Sequence, residues 1–208
     1  MLEKLPGQFI VIDGPDGCGK STQLARLAAA LRDAGNDVIT CRDPGGTEIG
    51  DRVRGVLLNY DLSTMDPACE TLLFMASRAQ LMAEVVRPAL AAGKIVLCDR
   101  FVSATCAYQG AAGFDPELVI ALARLALRDE WPDLTIILDI DAELGFERIG
   151  DRKLDAMESR PLAYHQAVID LFRSCVDTYP GRVELIDGRV DADAVQQAIE
   201  EVIVGAIR

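Results

Sequence analysis

Residues 9–22 read FIVIDGPDGCGKST, and this stretch restricts the fold more than any other part of the chain. A short apolar run leads into three glycines, one lysine and two hydroxyls. Glycine loses more backbone freedom on ordering than any other residue, so a cluster of it predicts a sharp bend or a close approach by something else. GPDGCGKS also fits the spacing G-x-x-x-x-G-K-[ST] of a phosphate-binding loop. Glycines allow successive backbone N–H groups to point inward as an anion nest. A helix opening at the end of the loop adds the positive end of its dipole. Lys20 is expected to reach the outer phosphates of a bound nucleotide, and Ser21 to offer a hydroxyl to Mg²⁺. An ordinary strand–turn–helix can match by chance. Here the required context is present, with an apolar strand before and a helical pattern after. The motif points to nucleotide binding and says nothing about an acceptor.

The rest of the chain alternates in the same manner. QFIVID, DVITC, KIVLCD, DLTIILDI and RVELID read as short strands. KSTQLARLAAALRDAG, EIGDRVRGVLL, PACETLLFMASRAQLMAEVVRPALAAG, DPELVIALARLALRD and ADAVQQAIEEVIVGAI carry apolar residues at helical spacing. Continuously apolar strands alternating with helices predict an α/β fold with a parallel sheet covered on both faces. Ligands of such sheets sit at the carboxyl ends of the strands. Asp13–Ser21, Asp43–Thr47 and Asp99–Arg100 all fall there.

Composition narrows the function. With 208 residues the chain is expected to form one domain. A formal charge of -12 argues against duplex nucleic acid as a partner, because that needs a basic face. An anionic ligand must then be held by local Arg, Lys and N–H groups. The six cysteines form no C-x-x-C pair and several stand in apolar runs, which predicts buried free thiols in a reducing cytosol. No signal-peptide core and no membrane-length apolar stretch is present, so a cytoplasmic protein is expected. The single histidine, His165, makes a Ser–His–Asp or Cys–His hydrolase a poor fit and is expected on a helix surface.

Three further stretches bear on what receives a phosphate. CRDPGGTEIGDRVR holds Asp43, a Pro44-Gly-Gly turn and Arg54. LCDRF sets Asp99 and Arg100 at a strand end, where an acid can hold Mg²⁺ or its water and an Arg can fork onto a phosphate. FMASRAQ puts Phe74 and Arg78 one helical turn apart, suited to stacking on a base and donating to its edge. AYQG adds Tyr108 and Gln109. Each has a plain structural alternative. Asp99–Arg100 can be a cap and a surface ion pair, Phe74 a core residue, Arg78 a solvated one and DPGG only a turn. Their joint position at strand ends beside a phosphate loop favours function.

Taken together, IDGPDGCGKST, DPGGTEIGDRVRGVLL, LLFMASRAQ, VRPALAAGKIVLCDRF, AYQG and WPDLTIILDI resemble the thymidylate kinase family over nearly the whole chain. The resemblance implies a three-layer P-loop fold with a five-stranded parallel sheet in the order 2-3-1-4-5. It implies ATP as phosphate donor, dTMP as acceptor, Mg²⁺, and a homodimer. Gly14, Pro15, Asp16, Gly17, Cys18, Gly19, Lys20, Ser21, Thr22 and Arg148 would serve ATP, with Ser21 and Asp99 at the metal. Asp16 would also lie near the acceptor's 3′-hydroxyl. Asp43 with Pro44, Arg54 and Arg100 would surround the acceptor phosphate. Phe74 would stack on thymine with Arg78 at its edge and Thr105 nearby. Tyr108 and Gln109 would lie near the deoxyribose, the Tyr108 ring disfavouring a ribose. Residues 148–160 match a mobile lid.

The chain also departs from the family pattern. Asp43 stands where Glu is more common, Ser103-Ala104 where an acid and a serine are, and the lid reads Asp155-Ala156 and is one residue short. The phosphate loop has no basic residue before Lys20. The arginine for the transferring phosphoryl must then come from the lid, with Arg152 first and Lys153, Arg148 and Arg160 as competitors. Another nucleoside or nucleoside-monophosphate kinase, or a P-loop switch module, remains a competing reading at this level.

Overall fold

The structure is a computed structural model that describes residues 5, 7–59, 64–150 and 157–206. Five strands, β1 (Phe9–Asp13), β2 (Val38–Arg42), β3 (Ile95–Asp99), β4 (Leu134–Asp139) and β5 (Val183–Asp187), form one sheet in the order β2-β3-β1-β4-β5. All pairings are parallel. This is the expected sheet in the expected order. β1, in the middle, is buried on every residue.

Side chains alternate across a strand, so one strand feeds two cores. Phe9 and Val11 of β1 join Val96 and Cys98 of β3 on one face. Ile10 and Ile12 join Ile95, Leu97, Ile136 and Leu138 on the other. The second face is closed by α1 (Lys20–Asp33), through Leu27 and Leu31, and by α9 (Ala192–Ala206), through Val195, Ile199 and Ile203. The first face is closed by α3 (Pro67–Leu81), α5 (Val102–Ala111), α6 (Pro116–Leu127) and α8 (Leu162–Thr178). α2 (Glu48–Asn59) packs on α3, and α7 (Ala142–Ile149) on α8.

Two features differ from the sequence reading. The helix expected over 67–93 is α3, a π-helical turn at Met82–Val86, and a short α4 (Arg87–Ala91). Pro88 has no N–H to give the carbonyl of Glu84, and the wider turn takes up the mismatch. α5, α7 and α8 are absent from the sequence expectation. α5 is buried from Val102 to Gln109, so it shows no polar face and no helical period. α8 does carry a signal, because Val168, Ile169, Phe172 and Cys175 recur at helical spacing on its buried side. The six cysteines are free thiols, with Cys18, Cys98, Cys106 and Cys175 buried. No helix among the described residues is long and apolar enough to cross a membrane.

Candidate active site

A cleft of about 500 Å³ opens at the carboxyl ends of β1, β2 and β3. The register sets Asp99 beside both Ile12 and Arg42, so the loops after these three strands leave the sheet side by side.

The loop after β1 feeds directly into α1. Its N-cap, Gly19, is left-handed at φ 95°, with no side-chain cap, and the first turn of α1 holds no acidic residue. The first N–H groups of a helix have no partner within it. Here they are left, with the positive end of the helix dipole, for an anion. Gly17, Gly19, Lys20, Ser21 and Thr22 line the cleft. Gly14, Pro15 and Cys18 lie beneath it, with Cys18 packed into the second core. The ammonium of Lys20 donates to the carbonyls of Gly14 (3.0 Å) and Pro15 (2.8 Å).

The outer wall of the loop is a backbone-to-backbone contact that sequence reading missed. A Cβ on Gly17 would sit 2.3 Å from the carbonyl oxygen of Gly145 in α7, and one on Gly145 would sit 2.7 Å from that of Asp16. Gly145→Ala is therefore expected to displace the loop. We expect it to raise KM for ATP about tenfold and to destabilise the fold by roughly 1–3 kcal/mol, although alanine favours helix. Gly205→Ala, where a Cβ meets nothing, is the control; equal ATP kinetics in the two variants refutes the contact's importance.

Ser21 donates its hydroxyl to Asp99 Oδ2 over 3.4 Å. The two form a pair of hard oxygen donors at the mouth of the loop. No group of three or more His, Cys, Asp or Glu able to hold a metal occurs among the described residues. The pair suits Mg²⁺, which keeps waters and takes its other ligands from phosphate oxygens.

Arg100 joins the two halves of the cleft. Its backbone is left-handed (φ 67°), held by its N–H on the Ile12 carbonyl at 3.1 Å. The guanidinium donates to the Gly14 carbonyl (3.0 Å), to Asp16 Oδ1, and to the Tyr108 hydroxyl (3.2 Å). It also lies over the Tyr108 ring, 4.9 Å from its centroid. Tyr108 donates to Asp16 Oδ2 at 2.7 Å. Beneath them is Asp13, fully buried, which the sequence reading placed at the start of the Asp13–Ser21 cluster without giving it a role. It accepts from the Ser103 hydroxyl (2.6 Å) and from the backbone N–H groups of Gly14 (2.9 Å) and Ala104 (3.0 Å). Asp13 thus fastens the phosphate loop to the start of α5, and Ser103 is a partner of that carboxylate.

Burial pushes the Asp16 carboxyl up, but the charges of Arg100 and Lys20 and the Tyr108 hydrogen bond outweigh it and hold it at about 2, against an ordinary 3.8. A depressed folded value means stability that is present above the ordinary value and lost as pH falls through the folded one. Asp16 should thus supply about 2 kcal/mol at neutral pH that disappears between pH 3.8 and about 2. Unfolding free energies of the native chain and Asp16→Asn, taken across that range, should converge on acidification. A constant gap would deny Asp16 its ionic role.

The residues expected on the acceptor side are also gathered here, with one rearrangement. Phe74, Arg78, Asp43, Pro44, Arg54, Thr105, Tyr108 and Gln109 line the cleft. Arg78 is 1% exposed and is not a solvated residue. Its Nε pairs with Asp43 Oδ2 at 2.5 Å, and one terminal nitrogen donates to the Phe101 carbonyl (3.1 Å) and Thr105 hydroxyl (2.9 Å). Asp43 is therefore neutralised by Arg78, and burial pushes its carboxyl up despite that partner. Arg54 donates to the Pro44 carbonyl at 2.9 Å, across a turn whose Asp43–Pro44 peptide is cis.

The candidate lid cations divide. Arg148 lines the cleft and donates to the carbonyls of Gly188 (2.8 Å) and Arg189 (3.4 Å), beyond β5. Arg160 lies over the Tyr164 ring at 4.6 Å and faces Glu70 at 3.9 Å. Arg152 and Lys153, with Asp155-Ala156, lie outside the described residues. Met157 and Glu158, which the sequence reading did not single out, are buried and line the cleft. His165 is not a surface residue. It is 6% exposed, wedged edge-on between the rings of Phe146 (4.8 Å) and Tyr164 (5.4 Å). Its place on the inward face of α8 can be read only once α8 itself is recognised.

Residues 12–199 match the family model described as thymidylate kinase. The chain is 42% identical over 197 residues to the thymidylate kinase of an Exiguobacterium species, covering 94% of this chain and 93% of that one. It is 42% identical over 207 residues to that of Trichlorobacter lovleyi, covering 96% and 98%. The crystal structure of thymidylate kinase from Ehrlichia chaffeensis superposes with a TM-score of 0.75 at 33% identity, over 96% of this chain and 99% of that chain.

Proposed function

The chain belongs to the thymidylate kinase family, whose reaction is the ATP-dependent phosphorylation of dTMP to dTDP, and we propose that this cleft performs it with the residues described above. The observation that carries the assignment of roles is Arg100. One guanidinium holds the Gly14 carbonyl of the donor loop and the Asp16–Tyr108 pair of the acceptor wall.

The nucleophile is an oxygen of the dTMP phosphate, already anionic near neutral pH, so no strong general base is required. The obstacle is repulsion between two polyphosphates, and catalysis is mainly positioning and charge. The loop N–H groups and Lys20 hold the phosphates of ATP. Arg100 and Arg54 hold the phosphate of dTMP. Ser21 and Asp99 would hold Mg²⁺, which when bound neutralises phosphate charge. Asp16, kept ionised, receives the sugar 3′-hydroxyl, and the Tyr108 ring fills the space beside C2′. Phe74 stacks on thymine, with Arg78 and Thr105 at its edge. Asp43 acts through Arg78, whose orientation it sets. Arg148 and the 188–189 carbonyls bound the nucleoside end of the ATP site.

Arg148 and Arg160 have other engagements. Of the two remaining lid cations we propose Arg152 on the transferring phosphoryl, ahead of Lys153, because a guanidinium can fork onto phosphate oxygens. The lid over 148–160 excludes water, without which ATP would be hydrolysed. We further propose a single kinase domain, a cytosolic setting and a homodimer. For the dimer contact we propose the side of α2, α3 and α6, where Val56, Leu72, Leu118 and Leu125 are exposed.

The test is ADP release from ATP–Mg²⁺ with dTMP, dUMP, UMP, dCMP, thymidine or no acceptor, with products identified by phosphorus NMR. Fast ADP formation with dTMP and dTDP as product is expected. ADP release that ignores the acceptor, or silence with all of them, overturns the reading.

A further inference from the structure

Behind the acceptor wall stands a buried acid that the reaction does not touch. Glu70, in α3, is 2% exposed. Its Oε1 accepts from the Gln109 amide nitrogen at 2.9 Å, and its Oε2 faces Arg160 at 3.9 Å. A carboxylate only accepts, so the amide of Gln109 must turn its nitrogen to Glu70 and its oxygen away. That oxygen is buried and has no hydrogen-bond partner among the described residues. A buried acceptor left unpaired is costly, and a donor supplied by a ligand recovers the loss. Gln109 lies one helical turn after Thr105 on α5 and, like it, lines the cleft. Phe74 lines it too, from α3.

We propose that Glu70 is a positioning residue for base recognition: it locks Gln109, which the family resemblance set near the deoxyribose, as a hydrogen-bond acceptor at the base edge instead. Thymine and uracil bring an N3–H donor to that oxygen, whereas cytosine brings a lone pair at the same ring position. The inference rests on the dTMP reading of the cleft and adds to it the source of the polarity of the site.

The same carboxylate ties this wall to the end of the lid segment. Arg160 faces it while stacked on Tyr164, and the Tyr164 hydroxyl donates to the Tyr108 carbonyl at 2.8 Å. Tyr108 and Gln109 are thus braced from the lid side as well as from α3. Burial pushes the Glu70 carboxyl up, while the Gln109 hydrogen bond and the Arg160 charge act to keep it ionised.

Glu70→Gln keeps the shape but offers an amide that both donates and accepts, so Gln109 is free to turn over. Steady-state kinetics with dTMP and dCMP, with ATP varied separately, read the consequence. We expect KM for dTMP to rise about tenfold and the dTMP/dCMP preference in kcat/KM to fall about tenfold. KM for ATP and kcat should stay within about twofold. An unchanged KM for dTMP and unchanged preference overturns the proposal. So does a KM for ATP that shifts as much as that for dTMP, since a merely structural residue would move both. If Glu70→Gln loses its cooperative melt, Glu70→Asp, which retracts the acceptor by one methylene, carries the same expectations, and the same results would overturn the proposal. Native enzyme without dTMP turnover would sink the dTMP reading itself. Native turnover with a raised KM in Gln109→Ala but not in Glu70→Gln would sink only the role of Glu70.

Discussion

Lys20→Ala is expected to lower kcat for dTDP formation by on the order of 10³-fold while the chain stays folded. The lysine brings the only side-chain cation that the phosphate loop itself contributes, and it stands at the start of α1 where the outer phosphates of ATP are expected. The structural loss is small, because both carbonyls that Lys20 holds keep another donor. The Gly14 carbonyl still accepts from Arg100, and that of Pro15 from the Cys18 N–H at 3.4 Å. A destabilisation of about 1–2 kcal/mol is therefore expected, too little to unfold a domain of ordinary stability. Single-turnover rates with saturating dTMP, beside a thermal melt, separate the two effects. A variant within tenfold of the native rate would remove the phosphate loop from the chemistry.

Arg100→Ala is expected to lower kcat/KM for dTMP by on the order of 10³-fold and equilibrium ATP binding by only a few-fold. The asymmetry follows from its contacts. On the donor side it makes one hydrogen bond, to a carbonyl that Lys20 also holds. On the acceptor side it is the cation beside Asp16 and Tyr108, and Asp13 lies 3.7 Å away. Its loss leaves Asp16 and Asp13 with only part of their counter-charge, that of Lys20, which costs roughly 3 kcal/mol. Alanine does not relieve the left-handed backbone at φ 67°, whereas glycine does. Arg100→Gly should be more stable than Arg100→Ala by about 1 kcal/mol and equally poor with dTMP. Equal losses for ATP and dTMP in both variants would take Arg100 out of the acceptor site.

Local pattern carries much of this protein. β1, its glycine loop and α1 are neighbours in sequence as in space, so residue spacing alone announces a phosphate site. The continuous apolar runs of β3 and β4 announce a buried parallel sheet. The same approach fails where burial is uniform. α5 has no polar face from Val102 to Gln109, and its residues read as isolated motif letters instead of one helix wall. His165 escapes it too, because a lone residue's burial depends on what packs against it, here Phe146 and Tyr164.

Hydrophobic period, turn chemistry and motif spacing act over a few residues, so the strands, the loop and the kind of ligand are legible along the chain. Which side chains share a charge is settled by packing in three dimensions. Arg78 meets Asp43 across 35 positions, Glu70 meets Gln109 across 39, and Ser103 meets Asp13 across 90. Those pairings depend on the order of strands in the sheet and on how α3 and α5 lie over it. A parallel sheet must send the chain away through a helix before each strand returns. Residues far apart in sequence therefore arrive at one strand end, and their partners there are set by packing.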